Sequence, residues 1–452
     1  DLDDWSKYGV TSATGGIATI GASANSGIYQ GVLTQGVRYT VTVNVTSYDG
    51  VGTAQFTNNN GNNLYTITET GIQTFTFIST IASSNLIIRG MSNALFSLSS
   101  VSVKEYTSAD MDVTRATDAT RVNESGLIED VLANVPRIDY TGGGCPHILA
   151  EPQRTNLVTY SEDFSDSSWT KSGVTLTAGQ ISPSGDTSAY KLAFSANNDY
   201  VQAAISGLDI SKEYTLSFYA KVDSGTTTIE SGNVNGGAYE TLTITDEWKR
   251  FEVTQTPSGT TRYPRPIRSN GSDEIYLWGA QLEEGSYATS YIPTSGGTVT
   301  RNQDIFTRDG IGSLINSTEG VLFVEVAALS DDSDNYISIT DGSTVNLIAI
   351  NLNSSGFVTA RYTIAGVTKT FTSTVISTNN NKVAIKWKVN DFALWVNGIE
   401  IDTDLTLSVL SANTLNTLDF TRSAGQDFYG KVKQLQVYDT ALTDVQLAAL
   451  TS

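Results

Sequence analysis

The chain has one histidine, His147, and one cysteine, Cys145. They flank Pro146, directly after Gly142-Gly143-Gly144. A thiol and an imidazole this close raise the question of nucleophilic catalysis. No acid to orient the imidazole and no oxyanion loop accompanies them, so a histidine packed in a loop is the expectation. With a single histidine, Ser-His-Asp hydrolysis has no route except through His147. Glycoside hydrolysis needs two acids facing one bond. Glu325 stands alone on its strand, and Glu400 and Asp402 flank a hairpin. These read as solvated acids, and the chain is expected not to be an enzyme.

Two other chemistries remain. A sugar site needs an aromatic face for the C–H side of a pyranose, with amides and carboxylates for its hydroxyls. Residues 239–278 offer Tyr239, Trp248, Tyr263, Tyr276 and Trp278. Tyr239 follows a Gly-Gly pair and Tyr263 lies in the polar, arginine-rich run RYPRP. Tyr239, Tyr263 and Trp278 are the carbohydrate-binding candidates, whereas Trp248, Trp387 and Trp395 are expected in cores. A hard cation such as calcium needs clustered oxygens. Asp331, Asp332 and Asp334 fall within six residues that end in Asn335. Their spacing is not that of an EF-hand, and an ordinary acidic turn is the competing reading.

These residues must be held by β-structure. At 452 residues the chain suggests about three domains. Only 16% of residues are charged, yet the net charge is -20. Ser, Thr, Asn and Gly must therefore cover the surface, as in sheets joined by tight turns. The acidity repels nucleic acid and anionic membranes. No P-loop or strand-coupled G-x-G-x-x-G appears, and no apolar run is long enough for a membrane span. One cysteine excludes an internal disulfide framework. The chain starts at Asp1 without a methionine, so residues upstream are expected to be missing.

Period-two alternation runs through residues 1–106, as in Tyr39, Val41, Val43 and Val45. Residues 158–300 repeat the plan. Trp5-Ser6-Lys7-Tyr8-Gly9-Val10 answers Trp169-Thr170-Lys171-Ser172-Gly173-Val174, both W-x-K-x-G-V. RYTVTVNV answers EYTLSFYAK, GIQTFTF answers EWKRFEV, and SLSSVSVKE answers IYLWGAQLEE, in the same order. A duplicated jelly-roll sandwich follows. Residues 301–452 have another rhythm. KVAIKWKV precedes FALWVNGIEID, whose Asn397-Gly398 marks a two-residue hairpin. Thr443 is placed to cap a short closing helix that turns Leu447 and Leu450 inward. Between the two repeats, 107–157 read as a structured connector, with Ile148 and Leu149 as anchors.

The NG hairpin, the strand KVKQLQVYD and the closing TALTDVQLAALTS resemble the end of a concanavalin A-like sandwich of the laminin-G type. The middle segment resembles carbohydrate-binding-module jelly rolls of phage structural proteins. TRATDATRVNESGLIEDV, VPRIDYTGGGCPHILAEPQRTNLVTY and GAQLEEGSYATSYIPTSGGTVTRNQDIFTR resemble a block found in virion proteins of tailed bacteriophages. That block covers roughly residues 112–308. The jelly-roll resemblance also implies a structural calcium between first and last strands, with Asp163 and Glu283 as its acids.

The expected protein is all-β: three sandwiches (1–106, 158–300, 301–452) and a connector. The resemblances imply a non-enzymatic virion surface protein, extracellular and exposed on the particle, a fibre or adhesin that binds host surface glycans and forms homotrimers with other virion proteins as neighbours. A head fibre, decoration or adaptor protein is the alternative, and a polysaccharide depolymerase the third.

Overall fold

The computed structural model describes residues 2–23, 26–35, 38–79, 85–105, 111–143, 145–271, 273–406, 408–423 and 425–452. The chain divides into two compact units, Asp1–Asp110 and Met111–Ser452. Both are built from antiparallel sheets, and the described helices are short.

The first unit is a sandwich of two five-stranded sheets. One runs Ser6–Tyr8, Ser26–Gly31, Asn85–Met91, Thr53–Asn58, Asn63–Ile67 in spatial order; the other runs Thr11–Thr14, Ile17–Ile20, Phe96–Glu105, Arg38–Tyr48, Gly71–Ile78. Alternation sets the core: Val41, Val43 and Val45 point in with Phe56, Ile88 and Phe96.

The middle jelly roll has the same strand order, strand for strand. Its first sheet runs Trp169–Ser172, Tyr200–Ala203, Arg265–Ser269, Thr226–Gly232, Tyr239–Thr245. Its second runs Val174–Gln180, Ala189–Phe194, Glu274–Glu284, Tyr214–Lys221, Lys249–Gln255. The W-x-K-x-G-V motif has a physical role in both copies. Trp5 and Trp169 are buried. Lys7 Nζ donates to the carbonyls of Asp3 and Trp5, and Lys171 Nζ to those of Phe164, Ser165 and Asp166. Gly9 and Gly173 adopt φ of 64° and 60°, which favours glycine.

The C-terminal sandwich joins two seven-stranded sheets. Asn397 and Gly398, at φ 51° and 81°, form the turn between paired Val396 and Ile399. Thr443 caps the helix Asp444–Thr451 through a capping box with Gln446. Leu447 of that helix is fully buried against Val321, Phe323 and Trp395, and Leu450 packs beside it.

This sandwich reaches beyond 301–452. Asp112–Thr114 pairs with Ile305–Arg308 at the edge of one sheet. Ile138–Asp139 and His147–Ala150 extend the other, the latter pairing with Gly430–Tyr438. Met111, Val113, Ile148 and Ala150 join its core. The middle jelly roll is thus inserted between two parts of one sandwich. Its neck is a short ladder, Arg154–Asn156 against Val299–Arg301.

Candidate functional site

The first sheet of the middle jelly roll buries Val201, Ile229, Ile244 and Ile267 against the core. Its other face gathers polar and aromatic groups from neighbouring strands. Tyr200 and Gln202 come from one strand, Arg265 and Arg268 from the next, Glu230 from the third and Tyr239 from the edge strand. The register aligns them: Arg268 lies opposite both Tyr200 and Glu230, and Gly232 opposite both Arg265 and Tyr239.

The two arginines organise this face. The Arg265 guanidinium lies 3.9 Å from the centroid of the Tyr200 ring. Its Nε donates to Gln202 Oε1 at 2.8 Å and its Nη1 to the Tyr239 hydroxyl at 2.6 Å. Arg268 stands 4.7 Å from the Tyr239 ring centroid, pairs with Glu230 and donates to Asn198 Oδ1. Cation–π contact and hydrogen bonds hold both planes in place. Tyr263, 44% exposed, sits two residues before Arg265 at the same end of the sheet, its carbonyl accepting from Asn233 Nδ2.

The sequence candidates therefore separate. Tyr239 and Tyr263 come to one end of one sheet, although a guanidinium stands over the Tyr239 ring, which is not a bare platform. Trp278 is not on any accessible surface. It is 1% exposed, packed with Tyr291, Ala189 and Ile128, and its Nε1 donates to Ser188 Oγ. Its outward position on Glu274–Glu284 is covered by the hairpin Ala119–Val122/Ile128–Val131 and by Tyr291. Trp248, expected in a core, packs at the margin of the same small cluster. It lies just before the strand Lys249–Gln255, half-buried, with Lys221 Nζ over its ring and Tyr276 at its edge. Trp387 and Trp395 are buried.

The proposed calcium ligands do not converge. Both Glu283 oxygens are taken: Oε1 accepts from Thr289 N and Gln281 Nε2, and Oε2 from Thr289 Oγ1. Asp163 accepts from Ser165 and Tyr190 and shares no partner with Glu283. Asp334 accepts from Ser354 N and Tyr336 OH, whereas Asp332 accepts from Ser286. Asp331 lies exposed in the same turn. Among the described residues, no three acids, histidines or cysteines stand close enough to hold a metal ion.

Asp163 also lines a cleft of about 470 Å³ with Tyr160, Glu162, Ser188 and Tyr190. Burial pushes the Glu162 carboxyl up, against the Tyr291 hydroxyl that donates to it at 2.8 Å. Hydrogen bonds from Ser165 and Tyr190 hold Asp163 below its ordinary range. His147 is buried, its Nε2 3.3 Å from Asp139 Oδ1; burial lowers its pKa, Asp139 opposes this, and Lys431 and Lys433 lower it further. Cys145 is exposed.

A buried ionic network was not anticipated. Arg115, Arg137 and Arg301 meet Glu151 and Asp304 with almost no side-chain exposure. Arg115 Nη1 reaches Asp304 Oδ1 at 2.8 Å; Arg137 bridges Glu151, at 2.5 Å, and Asp304; Arg301 also pairs with Glu151. Ser290 N and Oγ donate to Glu151 at 2.7 Å. Burial alone would raise the Glu151 carboxyl. Arg137 and Arg301, with Ser290, instead hold it well below the carboxylate range. All three arginines and both acids lie within residues 112–308.

The architecture is that of an all-β chain of β-sandwich domains. No protein-family model matches the sequence, and a search of curated proteins returns no match. Among solved structures, the chain is similar to the CBM40 module of a Ruminococcus gnavus IT-sialidase bound to alpha2,3 sialyllactose. The two share 18% identity over 33% of this chain and 93% of that one, with a TM-score of 0.29. The tandem CBM22 domains of Paenibacillus barcinonensis Xyn10C share 13% identity over 63% and 94%, at 0.22. Domains LG4-5 of the mouse laminin alpha1 chain share 12% over 55% and 90%, at 0.22. None of these likenesses assigns an activity to the chain.

Proposed function

We propose that this chain is a non-enzymatic glycan-binding protein of a bacteriophage virion surface, a fibre or adhesin that contacts host glycans through the middle jelly roll. The observation that carries the reading is the outer sheet face, where two guanidiniums, an amide, a carboxylate and two tyrosines are fixed by one another. Sugar hydroxyls need such donors and acceptors held in place, because each side chain ordered on binding costs free energy. The virion part rests on the sequence block at 112–308 and on a surface dominated by short polar residues.

Among the described residues, the matching face of the first jelly roll carries a different set, Arg89 with Gln55 and the paired rings of Tyr8 and Tyr29. Arg89 lies opposite Gln55 and Gly27, where the middle copy sets Arg268 opposite Glu230 and Tyr200. Site and scaffold are therefore separable.

A glycan array probed with the full chain should give a signal that Tyr239→Ala lowers roughly tenfold or more, since hot-spot truncations cost about 2 kcal/mol. No glycan signal, or one untouched by Tyr239→Ala and Gln202→Ala, would overturn the assignment to this face. Release of reducing sugar from a bound polysaccharide would overturn the non-enzymatic part.

A further inference from the structure

We infer that the glycan taken at this face is acidic, its carboxylate or sulfate received by Arg265. The inference rests on the glycan-binding reading and names the ligand class.

Charge leads to it. The chain carries -20 overall, yet the run Arg262–Arg268 holds three arginines, two of which, Arg265 and Arg268, stand on this face. One described acid, Glu230, pairs with them, and it pairs with Arg268. Arg262 donates to the Ser258 hydroxyl. Arg265 is held by three neutral groups: the Tyr200 ring, the Gln202 amide and the Tyr239 hydroxyl. No described carboxylate reaches it, so its charge is oriented but uncompensated.

Geometry leads to the same place. Nε and Nη1 are engaged, and Nη2 donates to no group among the described residues. A guanidinium fixed on two sides with its remaining donor open is set up for an anion, to which charge-assisted hydrogen bonds are the stronger kind. Stacking on Tyr200 has already removed rotamer freedom that a free arginine would lose on binding. A lysine would supply the charge without the fork or the stacking.

A buttress for the two tyrosines would use the same contacts, so the test must separate ligand charge from sheet stability. The full chain is titrated calorimetrically with paired oligosaccharides: an oligogalacturonide against its methyl ester, and a sulfated galactan fragment against its desulfated form. The acidic member of a pair should bind roughly tenfold to hundredfold tighter, the range for one charged hydrogen bond. That margin should shrink as NaCl rises from about 50 to 500 mM. Arg265→Gln should weaken the acidic member of each pair far more than the neutral one and so erase the margin, and Arg265→Lys should restore part of it. Equal binding within both pairs would overturn the inference and leave glycan binding standing, as would an Arg265→Gln loss shared by acidic and neutral members. Absence of binding to every sugar would overturn both readings.

Discussion

Glu151 is buried among Arg137, Arg301 and Ser290; it pairs with both guanidiniums, and Arg137 also reaches Asp304. Glu151→Gln keeps the shape and removes the charge. Uncompensated buried charges cost about 3–5 kcal/mol, so the variant should unfold at clearly lower denaturant at pH 7. The pH dependence has a definite sign. The folded carboxyl is held below its unfolded value, so its contribution is complete above roughly pH 4.3 and is lost as pH falls below that. The gap between wild type and Glu151→Gln should therefore narrow from pH 7 to pH 3.5 in denaturant titrations. At this scale little was legible. Arg137 meets Glu151 14 residues away and Asp304 167 residues away. Arg115 and Asp304 are 189 apart. Local pattern carries no trace of such pairings. Trp278 failed for the same reason: a hairpin distant in sequence covers it.

Strands and their repeats were the readable elements. Alternation fixes which side chains face a core, and four ordered correspondences anticipated two sheets of the same strand order. The glycine of W-x-K-x-G-V is where that repeat is most exacting. At Gly173 a Cβ would run into the Asp199 carboxylate, which caps Ser195 Oγ and Ala196 N. The left-handed backbone adds its own cost for any other residue. Gly173→Ala should destabilise the middle jelly roll by about 2–4 kcal/mol, combining backbone strain and overpacking. Differential scanning calorimetry of the full chain checks this; an unchanged profile would count against it. Trp248 marks the limit of pattern reading. It was read as a core aromatic at the start of a strand; it lies just before that strand, half-buried against the cluster of Trp278 and Tyr291.

For the whole molecule, order along the chain hides one arrangement. Domain boundaries drawn at composition shifts assume contiguous segments, yet the C-terminal sandwich takes strands from both sides of the middle jelly roll. A fragment of residues 301–452 would lack the strand His147–Ala150 and leave Gly430–Tyr438 as an open edge. It would also lose Arg115, Arg137 and Glu151. That fragment should be poorly soluble or melt well below residues 111–452, as circular dichroism of both would show; equal stability would contradict the interleaved architecture. The short ladder of Arg154–Asn156 against Val299–Arg301 has a consequence of its own. It brings both ends of the insert to adjacent positions on its host, with Thr155 facing Thr300. A sandwich grafted onto that socket would also have to replace Ser290 in the Glu151 network and the Trp278–Tyr291 surface that packs on the hairpin Ala119–Val122/Ile128–Val131. An insert that keeps those contacts is thus an exchangeable cartridge on a constant chassis.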